Sequence, residues 1–236
     1  MTDELQNNGS SSDITTAKGL RTPRAAAIAG ILFALLLATA IVLFRLSMPT
    51  DPSQAGVWLS GGRRTAVTVA VNIVPFAGMA FLWFIGVLRH RLGEREDKFF
   101  ATVFLGSGLL FVAMLFTATA MIFGLLASFS AAPSTTNEIE LWDLGSKVSA
   151  AMLDVFSLRM AAVFIISTST VFLRTGVIKR WIAFLGLAIA LVLLVASGSV
   201  PFINLLLPLW IFVVSMDVLI FDLRRGKNGI KVIEES

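Results

Sequence analysis

Twenty consecutive residues, 25–44, pass without a charge between Arg24 and Arg45, and four more charge-free windows of 14 to 39 residues follow. A helix rises about 1.5 Å per residue, so about 20 such residues match a hydrocarbon layer about 30 Å thick. Windows of this kind dictate helices in lipid, where every backbone N–H and C=O must find its partner inside its own segment. The composition agrees. The chain is 56% hydrophobic and 14% charged, with a mean hydropathy of +0.86, whereas a soluble domain carries about 25% charge. A soluble globular enzyme and a disordered chain are both excluded.

Measured against that length, the windows give an all-α integral membrane protein, a bundle of six transmembrane helices. Residues 25–45 and 65–88 are the first two spans, and the third covers 99–127 before a polar outer loop that opens with Ser128, Ser130 and Pro133. The fourth is forced to carry charge. Only 14 uncharged residues separate Arg159 from Arg174, about 21 Å of helix, so the span is read as 148–173 with Asp154 and Arg159 inside it. Ser197, Gly198, Ser199 and Pro201 split the last window into spans at 181–197 and 202–222, the second enclosing Asp217.

The basic residues then divide unevenly. With both termini cytoplasmic, 14 Lys and Arg fall on inner segments and four on outer ones, the bias expected of a multi-pass protein in a bacterial-type plasma membrane. Residues 1–23 read as a disordered cytoplasmic tail and 224–236 as a second tail. Trp58, Trp142 and Trp181 near span ends fit an aromatic belt.

Several chemistries are excluded outright. There is no cysteine, hence no disulfide, thiolate metal site or cysteine nucleophile. The lone His90 lies between Arg89 and Arg91, so a bis-histidine haem or an intramembrane Ser–His pair is impossible within one chain. No phosphate-binding glycine loop occurs. The basic residues flank apolar runs rather than forming a stripe with aromatics, so nucleic acid is not an expected partner. Neither a cofactor nor a metal is expected.

What remains is a set of polar residues placed in the hydrocarbon. Asp217 cannot reach the interface with its short side chain, and Ser167, Thr168, Ser169 and Thr170 lie at its depth; a carboxylate ringed by hydroxyls could bind a cation or carry a proton. Arg159 can extend its stem to the outer headgroups. Asp154 lies further out, on a face continued by Ala150, Ser157, Ala161 and Thr168 that is expected to point inward. Five residues separate it from Arg159, about 140° around a helix, so the two do not pair. Thr65, Thr68 and Asn72 form a stripe before Pro75, suited to lining a vestibule or to bonding a neighbouring helix. Asp217, Thr168, Ser169, Arg159, Asp154 and Asn72 are thus the candidate pathway residues.

Three functional classes follow. One is permeation of a small solute, proton or cation through the bundle. Another is an accessory or assembly subunit, whose partners are the lipid bilayer and either a second copy or another membrane protein. The third, a lipid-acting enzyme, fits least, because the two carboxylates lie at opposite depths and share no acid–base or two-metal site.

Overall fold

The computed structural model describes residues 22–47, 62–92, 98–129, 135–196, 198, 200 and 202–234. The expected N-terminal tail up to residue 21, and Trp58, lie outside them. The described chain is all helical. Helix α1 is Thr22–Ser47, α2 Gly62–Leu92 and α3 Lys98–Ser128. Helix α4 is a rod of 40 residues, Thr136–Thr175, α5 is Arg180–Ala196, and α6 is Leu206–Glu234. Five of these are long and apolar enough to cross a membrane; α5 is a shorter apolar helix of 17 residues.

Helix α1 packs against α2 and α6, α3 lies between α2 and α4, and α5 lies against the second half of α4. The core is built from aromatic rings. Phe33, Phe81, Phe111 and Phe164 come from four different helices, with Phe81 within 5.2 Å, centroid to centroid, of each of the others. Outward faces are apolar as well: Leu35, Trp83, Phe184, Leu191 and Val195 are among the large exposed side chains. A surface of this kind is stable only against lipid or a partner. The chain is a multi-pass membrane protein.

Close approach sets the tightest contact. Gly186 of α5 faces Ser169 of α4 and the ring of Trp210 of α6, leaving no room for a methyl group. Trp210 is fully buried and donates its indole N–H to the Ile182 carbonyl at 3.2 Å. Three helices therefore meet at a single glycine. Helix α4 stops where Gly176 takes a left-handed φ of 64° and its N–H bonds the Phe172 carbonyl.

Three sequence expectations change. The part of the outer loop from Thr136 on is helical, because Thr135 and Glu138 form a reciprocal capping box that starts α4 twelve residues before the expected span. The second tail is not separate either: α6 continues to Glu234, since each residue added to an existing helix gains a bond without a new nucleus. Trp142 is no belt residue. It is buried edge-on against Phe129, the centroids 5.3 Å apart.

This last contact belongs to an extension at one end of the bundle. Arg64 at the start of α2 donates to the carbonyls of Leu126 and Phe129 at 2.8 and 2.9 Å, closing the exposed end of α3 with a cation where the helix dipole favours one. Gly145 of α4 packs on Leu125 beside it. Replacing Gly186 by valine is expected to destabilise the bundle by about 1–3 kcal/mol through overpacking, measured by unfolding in detergent; an unchanged midpoint would contradict the three-helix contact.

Candidate functional site

Arg45, Asp154 and Asn204 converge from α1, α4 and the 3₁₀ turn Ile203–Leu205 that leads into α6. Arg45 Nη2 donates to Asp154 Oδ1 at 2.8 Å and to Asn204 Oδ1 at 3.4 Å, while Asn204 Nδ2 donates to the same Asp154 oxygen at 2.7 Å. Each member bonds the other two. The charged pair is partly buried, with side-chain exposures of 31% and 23%.

The height of this node along the three helices follows from counting. Arg45 lies 21 residues from Arg24, Asp154 lies 20 from Arg174, and Asn204 lies 20 from Arg224. On each helix that is about 30 Å, the thickness of a hydrocarbon layer. The node and the positions of Arg24, Arg174 and Arg224 are therefore one such thickness apart along their helices. The start of α2, the end of α3 and the first half of α4 continue past the node as the extension.

Asp154 occupies a turn of π-helix, Met152–Phe156, in which Ser157 N–H reaches back to the Met152 carbonyl. Such a turn holds one extra residue and recurs at functional sites. It also explains why the expected inward face is only partly correct. Ser157, Ala161 and Thr168 are buried, but Ala150 is exposed and Ser149 takes the buried position. One inserted residue moves the face by one.

Below the node lies a cavity of about 30 Å³, bordered by Ile41, Leu115, Leu153, Ser157, Asn204 and Leu207 among others. That is space for about two waters. Ser157 does not point its proton into it, since its hydroxyl donates to the Leu153 carbonyl at 2.6 Å.

The other predicted residues are not brought to this node. Asp217 pairs with Lys179 of the α4–α5 connection at 3.1 Å, and is not ringed by hydroxyls. Ser167, Thr168 and Thr170 donate to the carbonyls of Val163, Phe164 and Ile166, four residues back on their own helix. Ser169 Oγ is buried without a hydrogen-bond partner against Gly186, and Ser215 Oγ likewise against Gly30. Thr168 and Asp217 lie 14 and 13 residues beyond the node along their helices; a carboxylate nonetheless prefers an ammonium to a hydroxyl already bonded elsewhere.

Arg159 is exposed on the outer face of α4 and has no partner among the described residues. Asn72 is exposed too. So are Thr65 and Thr68, so the stripe on α2 faces away from the bundle and lines no vestibule. Arg45 and Asn204 were the residues that sequence reasoning missed as partners. Their common 20–21-residue spacing from Arg24 and Arg224 was the available signal.

No model of a known protein family matches the chain, and neither a curated protein nor a solved structure is similar to it. The node can therefore be judged only by its own chemistry, which is that of a tie between helices. Asp154→Leu alone leaves Arg45 without its carboxylate and is expected to cost about 1–3 kcal/mol. The double variant with Arg45→Leu is expected to cost clearly less than the sum of the two single changes. Unfolding of all four proteins in detergent checks this; strictly additive losses would contradict the tie.

Proposed function

We propose that the chain is a non-catalytic membrane subunit that acts by association within the bilayer, set in a plasma membrane with both termini cytoplasmic and the Arg45–Asp154–Asn204 node at the outer boundary. The orientation rests on the 14-to-four division of basic residues. The role rests on one observation about where polar groups are spent. Inside the bundle most of them are bound to one another or to their own helix, as Asp154 is to Arg45 and Asn204 and Thr168 to the Phe164 carbonyl; the Ser169 and Ser215 hydroxyls, pressed against Gly186 and Gly30, are the exceptions. The polar stripe of α2, by contrast, is turned outward. Side chains that line a route need free lone pairs or protons to replace water around the solute. Side chains that face out of a bundle meet lipid or a partner.

Permeation is kept as a second reading because of the cavity beneath the node, which lies beside Asn204 and the widened turn of α4. In that reading Asp154 and Asp217 would serve two halves of a path about 20 Å apart along the bundle. Reconstitution into liposomes carrying a pH-sensitive dye separates the two. A subunit that acts by association leaves proton and monovalent-cation flux at the level of protein-free liposomes, and Asp217→Asn changes nothing. Flux above that level, lost on Asp217→Asn or Asp154→Asn, would overturn the reading.

A further inference from the structure

We infer that α2 is the surface through which two copies of this chain pair side by side in the membrane, with Asn72 of one meeting Asn72 of the other. The inference rests on the associating role proposed above and supplies its partner.

The first observation is a period. Thr65, Asn72, Met79 and Gly86 recur every seven residues, Thr68 and Leu82 stand in the intervening row with Pro75 between them, and all are exposed. An isolated helix repeats every 3.6 residues, so a strict seven-residue row drifts around its surface. Such a row can meet a neighbouring helix along its whole length where the two wrap left-handed about each other, at about +20°. Beside this seam stand Val69, Phe76 and Trp83, exposed by 44%, 60% and 73%. On its other side the bundle itself closes in, with Phe116 of α3 seated on Gly78.

The second observation is independent of the period. Thr68 is exposed, as are Thr39 and Thr117 on other helices, but each spends its single proton on the carbonyl four residues back. Asn72 cannot be satisfied that way. Its amide donates one N–H to the Thr68 carbonyl at 2.7 Å, which leaves the second N–H and the carbonyl oxygen without a partner among the described residues. Asn72 lies 17 residues from Arg89, about 25 Å along the helix and so still inside a layer about 30 Å thick. A free carboxamide on the outward side of a span is better satisfied where a neighbouring helix supplies both a donor and an acceptor.

A second copy supplies them by symmetry. Copies inserted in one membrane share one orientation, so α2 meets α2 in parallel and Asn72 faces Asn72 at equal depth. A carboxamide is its own complement, one N–H and one C=O given in each direction. Gly86 near the far end of the seam, with open space where a side chain would stand, lets the helices approach there.

The test uses the full-length chain in liposomes. It contains no cysteine, so single cysteines report contacts without background. Met79→Cys on the seam is expected to form a disulfide-linked dimer on mild oxidation, while Leu191→Cys, 63% exposed on α5, stays monomeric. Asn72→Val is expected to raise the dissociation constant for pairing about tenfold, and Asn72→Gln to retain most of the affinity. Cross-linking through Leu191→Cys in place of Met79→Cys, or an Asn72→Val protein that pairs as well as the parent, would overturn the inference. A chain that stays monomeric in lipid at every protein-to-lipid ratio would overturn it too. In that case a higher native mass in membranes of the source cells would leave the associating role standing with a different partner, and a monomer there as well would remove both.

Discussion

Hydrocarbon thickness is the constraint on which the rest of this structure depends. A layer about 30 Å deep accepts about 20 residues of helix, and in three helices a basic position and a member of the Arg45–Asp154–Asn204 node stand apart by that figure to within one residue. At the node a charge no longer has to be avoided, only partnered. Arg45, Asp154 and Asn204 exchange three hydrogen bonds there and tie α1, α4 and α6. Beyond it the chain is free to build with polar groups, and it does: Arg64 closes α3, and Thr135 and Glu138 start α4.

Within the layer the rule is the opposite. Nearly every hydroxyl described there returns its proton to its own helix, and the helices are held instead by shape, as where Gly186 admits Ser169 and Trp210. Association in lipid gains little from removing apolar surface, so close packing and the occasional polar contact decide which helices meet. Charge is tolerated there in two further places, at the exposed Arg159 and where Lys179 pairs with Asp217. Lys179 is largely exposed and reaches in from a connection, while Asp217 is mostly covered. The pair lies about 10 Å short of Arg224, a depth a lysine stem can span.

Much of this was legible in the amino-acid sequence, because charge-free length is a direct measure of a span. The helices occupy the windows that hydropathy marks. Three things were hidden for physical reasons. The π turn at Met152–Phe156 inserts one residue into the period, and no residue type announces it; the face read through Ala150 was therefore off by one. The capping box of Thr135 and Glu138 was visible as a pattern, but hydropathy weighs such a segment as loop. The direction of the Thr65, Thr68 and Asn72 stripe could not be read at all. In a soluble protein the polar side of a helix faces water, whereas in a membrane both the core and the lipid are apolar, so sequence polarity does not separate inside from outside. For the same reason Arg45 gave no sign that its partner would be Asp154, 109 residues away.

The most direct measurement of this account is a depth profile along α4. Nitroxide labels placed singly between Ile139 and Leu173 would be read for collision with oxygen, which concentrates in hydrocarbon, and with a water-soluble nickel chelate. Oxygen access is expected to peak near Phe164, midway between the node and Arg174, and to give way to the chelate at positions before Asp154. A maximum in oxygen access at or before Asp154 would place the node inside the hydrocarbon and contradict the claim that it marks the membrane boundary.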